Sequence, residues 1–138
     1  MGIPLTARMK NWIEGLGVHA ALADASAVPL VIVASSCTVD GDTIAIPLSP
    51  AQKAQAETCI PHNSHVAIAP GGLGAVRAPY QFKGTGALQG DSLVVTVDHV
   101  YCTKPGYEAG VRMDRLGFEG MKEFDESRWK DITPPSRK

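Results

Sequence analysis

The sequence predicts a mainly β fold, a closed or partly closed β-barrel with peripheral helices. Six segments are rich in β-branched or aromatic residues and are separated by turn sequences. One segment of helix formers interrupts this series of strands. The chain has 138 residues, which suits one domain with a sizeable core and leaves no room for two. Short antiparallel strands with one helical insertion indicate a sheet that closes on itself.

The predicted elements follow in a simple order. A helix within residues 1–16 is expected because apolar residues recur at helical spacing behind Thr6. Residues 17–102 are expected to form the barrel, and residues 107–138 a C-terminal helical extension and tail. The six predicted strands are Val18–Ala23, Leu30–Val39, Thr43–Pro47, His65–Ala69, Tyr80–Leu88 and Leu93–Tyr101.

Composition and charge argue against several classes of function. The 13 Lys and Arg residues nearly balance 14 Asp and Glu residues, and no basic block is present, which argues against a nucleic-acid or membrane-surface binder. The most apolar stretch, residues 18–37, contains His19, Asp24 and Pro29. It therefore falls short of the ~20 clean apolar residues that a membrane span needs. Three widely spaced cysteines favour a reducing cytoplasm.

The reactive side chains form no recognisable catalytic or metal motif. The spacing of His62 and His65 matches half of a metal site, but no third ligand accompanies them. Cys37 has no histidine nearby in the sequence to act as its base, which favours a buried structural thiol. We expect neither a catalytic residue nor a metal ligand in this chain.

The segment from Ser49 to Lys53 is the most informative in the chain. Ser49 and Gln52 have the spacing of a capping box, and Pro50 suits the first helical position. Lys53 then lies in the first turn, where the helix dipole disfavours a cation unless an anion is near. A bound phosphate at the helix start would resolve that conflict. The alternative interpretation is a well-capped surface helix with a solvated lysine.

The predicted second strand ends in small, mostly polar residues, Ala34 to Thr38. Small side chains allow a ligand to approach the backbone closely, and hydroxyl groups can bind phosphate or carbonyl oxygens. Alternatively, every second residue of this strand faces water or a subunit interface. The sequence therefore predicts a ligand site here but does not establish one.

The order of these elements resembles the pyridoxamine 5′-phosphate oxidase-like FMN-binding split barrels, and in length the chain is similar to their small FMN-binding protein branch. The resemblance covers residues 17–101. It is carried by residues 18–24 with 29–33, by Ile46-Pro47 through Lys53, and by Tyr80-Gln-Phe-Lys-Gly-Thr-Gly86. It implies a split-barrel homodimer with FMN at the interface and a flavin that carries electrons to or from an unknown partner.

The resemblance also implies cofactor-binding positions. Lys53 matches the second residue of a basic pair that holds the FMN phosphate, and Gln52 stands where the oxidases usually carry arginine. With the helix cap, the implied site comprises Val33, Ala34, Ser35, Ser36, Ile46, Pro47, Ser49, Gln52 and Lys53. The oxidase's substrate-binding arginine and histidine have no counterpart near the C-terminus, so pyridoxamine phosphate oxidation is not predicted.

Two other functions stay open at this point. A non-catalytic module could hold another ligand, or none, in the same groove. A haem-binding or haem-degrading split barrel would require a histidine such as His62 or His65 to point into the groove. An absorption spectrum of the purified protein would distinguish these functions.

Overall fold

The computed structural model describes residues 2–23, 29–71 and 80–103. In chain order it contains helix α1, strands β1 to β4, helix α2 and strands β5 to β7. Their bounds are α1 Ala7–Leu16, β1 Val18–Ala23, β2 Pro29–Ala34, β3 Thr38–Asp40, β4 Thr43–Pro47, α2 Pro50–Cys59, β5 His65–Pro70, β6 Tyr80–Gln89 and β7 Ser92–Cys102. The fold is mainly β, as the sequence predicts.

The seven described strands form one antiparallel sheet in the order β2-β1-β5-β6-β7-β4-β3. The expected count of six was wrong because the predicted strand Leu30–Val39 is two strands. β2 pairs with β1, whereas β3 pairs with β4, and Ser35 to Cys37 between them belong to neither strand. Strand propensity alone cannot reveal this division, because both halves have residues that suit a strand.

The break between β2 and β3 requires the sheet to curl. These strands are the two edges of the sheet, yet only three residues separate Ala34 from Thr38. An extended chain covers at most 3.6 Å per residue, so the two edges approach within about 14 Å at this point. The sheet is therefore a half-barrel, consistent with the split barrel that the resemblance implies.

The core fills the concave side of this curled sheet. Its largest fully buried side chains come from α1 and from six strands: Trp12, Tyr80, Phe82, Ile13, Ile32, Ile44, Ile46, Ile68, Leu93, Val18 and Val95. Helix α1 begins as predicted, with the Thr6 side chain accepting a hydrogen bond from the Met9 amide. It ends at Gly17, whose φ of 78° few other residues tolerate.

The predicted C-terminal extension, residues 107–138, lies outside the described residues, as do residues 24–28. Neither described helix has the length and apolar character that a membrane crossing requires. Both have 10 residues.

Candidate functional site

Helix α2 begins as the sequence predicts. The Ser49 side chain accepts a hydrogen bond from the Gln52 amide at 3.1 Å, and Gln52 Oε1 accepts one from the Ser49 amide at 3.0 Å. Pro50 occupies the first helical position and has no amide hydrogen, and the Lys53 amide donates to the Ser49 carbonyl. Ala51 therefore carries the one backbone amide in this first turn that makes no hydrogen bond within the described chain.

Gln52 joins the helix start to strand β2. Its side-chain Nε2 donates a hydrogen bond to the Val33 carbonyl at 3.1 Å, in addition to the bond that its Oε1 accepts in the capping box. Val33 and Gln52 lie 19 residues apart in the sequence, so this contact brings together two of the predicted segments. Gln52 therefore fixes the position of α2 against the edge of the sheet.

Lys53 faces a carboxylate of the protein itself. Its Nζ lies 3.0 Å from Oδ1 of Asp91, a residue of the turn between β6 and β7. The hydrogen bond to Asp91, together with its negative charge, raises the pKa of the Lys53 ammonium above its ordinary value. The side chains are 36% and 85% exposed, so water screens this pair. An anion does face Lys53, as its place in the helix requires, and Asp91 supplies it.

A groove of about 410 Å³ lies between the ends of β2, β3 and β4. It is lined by Ser35, Ser36 and Pro47 from the predicted site, together with Glu14, Cys37, Thr38, Ala45 and Ser92. The Glu14 carboxylate also accepts a hydrogen bond from the Val39 amide at 2.8 Å, which ties α1 to β3. Hydroxyl groups, small apolar surfaces and one carboxylate thus surround the groove.

Of the nine predicted residues, six do not line this groove: Val33, Ala34, Ile46, Ser49, Gln52 and Lys53. Ile46 is fully buried and Ala34 is 8% exposed, and both belong to the core. They can meet a ligand only through their backbone. By contrast, Val33 is 46% exposed and Pro47 is also exposed. Period-two alternation along β2 and β4 explains this division, because neighbouring residues face opposite sides of a sheet.

The sequence prediction missed several residues around the site. Glu14 and Ser92 line the groove, and Asp91 pairs with Lys53. Each of these residues is far from the predicted segments in the sequence, so no local motif indicated them. His62 and His65 both lie beyond α2 and are not among the residues that line the groove. The described residues contain no cluster of three side chains suited to a metal ion.

Comparison with known proteins supports the fold. No family model matches the chain, and no curated protein matches it. A crystal structure of HupZ from Group A Streptococcus matches with a TM-score of 0.59 and 21% identity over 77% of this chain and 99% of that chain. A single-residue variant of HupZ, in which alanine replaces a histidine, matches with a TM-score of 0.56 and 20% identity over 70% of this chain and 98% of that one. The chain therefore shares the half-barrel fold of HupZ.

Proposed function

We propose that this chain is a small flavoprotein that binds FMN and serves in redox chemistry, either as an electron-transfer protein or as a small flavin reductase. We place it in the cytoplasm as a homodimer. The observation that carries the proposal is the convergence of the predicted segments. Gln52 on α2 contacts Val33 on β2, and the groove beside this contact is lined by Ser35, Ser36 and Pro47.

The start of α2 offers the donors that a phosphate group needs. The Ala51 amide lies at the positive end of the helix dipole, and the Lys53 ammonium is one turn further along. Lys53 is bound to Asp91, but the pair is exposed and water screens it, so a phosphate can compete for the ammonium at little cost. Ser49 and Gln52 hold the helix start in place through the capping box.

The groove offers a suitable surface for the flavin ring. Ala45 and Pro47 provide small apolar contacts, while Ser35, Ser36 and Thr38 provide hydroxyl groups that can donate to or accept from the ring's polar edge. The bound flavin would supply the electron-transfer chemistry, and these residues would orient it and limit its access to water. No residue of the chain needs to act as a general acid.

The edge strand β2 is the proposed dimer contact. Val31 is 55% exposed and Val33 is 46% exposed, and they are the two large apolar side chains that stand exposed among the described residues. Both lie on β2, which is at the edge of the sheet and pairs only with β1 among the described strands. Such an edge is a ready template for association with another copy. Val33 also joins this edge to the α2 contact, so the proposed interface adjoins the flavin site.

A non-catalytic ligand-binding module is the second candidate function. It is favoured by the internal pairing of Lys53, which was expected to bind phosphate, and of Gln52, which stands where the oxidases usually carry arginine. Lys53 is bound to Asp91, and Gln52 is bound to both Ser49 and Val33. In that function the groove would take a ligand without a phosphate group.

Flavin fluorescence titrations distinguish the two functions. We expect FMN to bind the wild-type protein about tenfold more tightly than riboflavin, since riboflavin has no phosphate to pair with a charged donor. Lys53→Ala should remove that preference and leave riboflavin affinity unchanged. Asp91→Asn should tighten FMN binding modestly, because it releases the ammonium from its intrachain partner. Lys10→Ala, at an exposed position of α1, is the matched control and should change neither affinity.

Equal affinity for FMN and riboflavin would contradict the phosphate site and favour the module. Absence of binding to both flavins would contradict the proposed function as a whole. Light scattering on the same samples tests the assembly, since the proposal requires twice the 14.6 kDa mass of one chain.

A further inference from the structure

A second cavity, of about 470 Å³, lies on the outer face of the sheet and shares no residue with the groove between the ends of β2, β3 and β4. Its polar lining comes from His65, Lys83, Asp98, His99 and Tyr101. We propose that this cavity is a binding site for a planar aromatic carboxylate that also carries a hydroxyl group, with Lys83 pairing with the carboxylate and His99 accepting a hydrogen bond from the hydroxyl. The volume lies within the range of small-molecule sites.

A β-bulge builds the histidine end of this site. Lys83 pairs with His99 but Gly84 pairs with Val97, so Asp98 is an extra residue in β7. In a regular strand the side chains of Asp98 and His99 would face opposite sides of the sheet. The bulge brings them together, and His99 Nδ1 lies 2.6 Å from Asp98 Oδ1. Bulges of this kind commonly re-aim a side chain beside a functional site.

The Asp98 contact determines what His99 can do for a ligand. A carboxylate only accepts hydrogen bonds, so in the tautomer that fits this contact Nδ1–H donates a hydrogen bond to Asp98 Oδ1. In that tautomer of the neutral imidazole, Nε2 is the acceptor. A carboxylate that fixes the tautomer in this way is the usual arrangement for a histidine that receives a proton or hydrogen bond from a ligand. His99 therefore suits a hydroxyl group.

Lys83 provides the charge at this site. Its ammonium lies 5.1 Å from the centre of the Tyr101 ring, and the Tyr101 ring stacks on His99 with 6.3 Å between centroids and 16° between planes. No carboxylate among the described residues lies within ion-pair distance of Lys83. The contact with Tyr101 holds the ammonium over the cavity without neutralising it. A ligand carboxylate would complete the pair.

The floor of the cavity suits a flat apolar ring. In the strand register Ala21 lies opposite Ala67, Ala67 opposite Lys83, and Lys83 opposite His99, which makes one row across four strands. The two alanines leave open space beside Lys83 and His99, because their side chains end at Cβ. A planar ring can lie on that surface with its polar groups directed at the two larger side chains.

Fluorescence titration with 6-hydroxy-2-naphthoate and 2-naphthoate tests the proposal, since the two probes differ only in the hydroxyl group. We expect the wild-type protein to bind the hydroxylated probe about tenfold more tightly. Lys83→Gln should weaken the binding of both probes about tenfold, whereas Lys83→Arg should retain their wild-type affinity. Asp98→Asn and His99→Gln should abolish the preference for the hydroxylated probe while retaining 2-naphthoate binding.

Lys10→Gln is the matched control, and circular dichroism melts verify that every variant folds. The proposal is overturned if neither probe saturates below about 1 mM, a limit that corresponds to very weak binding. It is also overturned if Lys83→Gln has no effect, or if the hydroxyl preference survives in both Asp98→Asn and His99→Gln. Addition of FMN provides a further check: displacement of the probe would mean that the flavin occupies this cavity and would contradict a separate site.

Discussion

Gly84→Ala should be strongly destabilising, because Gly84 lies opposite the β7 bulge and has no room for a side chain. A Cβ built at Gly84 would lie 2.1 Å from the Thr96 carbonyl oxygen and 2.9 Å from its carbonyl carbon. A comfortable carbon–oxygen contact needs about 3.3 Å, so one backbone must move by about 1 Å. The neighbour is backbone within a paired strand and cannot rotate away. Overpacking of this kind costs about 1–3 kcal/mol, and we expect about 3 kcal/mol here.

Urea denaturation followed by circular dichroism measures this effect. For a domain of this size the loss corresponds to a melting temperature about 10 °C lower. Gly15→Ala is the matched control, because Gly15 lies within α1 and a Cβ there meets nothing within 4 Å. That variant should gain about 0.5–1 kcal/mol, since alanine is the better helix former. A Gly84→Ala protein as stable as the wild type would refute the packing argument and the bulge geometry.

Three further predictions concern the α2 cap, the Lys53–Asp91 pair and the exposed valines of β2. Ser49→Ala should cost about 1 kcal/mol of unfolding free energy through the lost cap, which chemical denaturation will measure. Asp91→Asn should remove a small stabilisation that is full at neutral pH and is lost as the pH rises through the raised pKa of Lys53. The urea midpoint of the variant should therefore approach that of the wild type at strongly alkaline pH. A difference between the two midpoints that stays constant with pH would contradict a stabilising Lys53–Asp91 ion pair. Val31→Asp with Val33→Asp should convert the proposed dimer to a 14.6 kDa monomer by light scattering, and an unchanged mass would place the interface elsewhere.

Local patterns were predictable from the sequence. The capping box of α2 depends on Ser49, Pro50 and Gln52, which lie within four positions, and the structure confirms it. The start of α1 behind Thr6 is local in the same sense. In each case the residues that decide the geometry are neighbours along the chain.

Features that depend on distant partners were not predictable. The division of Leu30–Val39 into two strands depends on the pairing partners. The first half, β2, pairs with β1, and the second half, β3, pairs with β4. The partner of Lys53 is 38 residues away, so the sequence indicated that an anion was needed but not that Asp91 supplies it. The pairing of Asp98 with His99 depends on a register shift between β6 and β7. Regular alternation would have separated these side chains.

Nuclear magnetic resonance mapping of FMN binding tests the central claim most directly, because it locates the ligand on the chain. In a ¹⁵N-correlation titration, we predict that the largest amide shifts occur at Ser35, Ser36, Ala51 and Lys53, which come from the two segments that Gln52 joins. Riboflavin should shift the serine amides and leave Ala51 and Lys53 unmoved. Shifts confined to Lys83 and its neighbours on the outer face, or no shifts at all, would contradict the proposed flavin site.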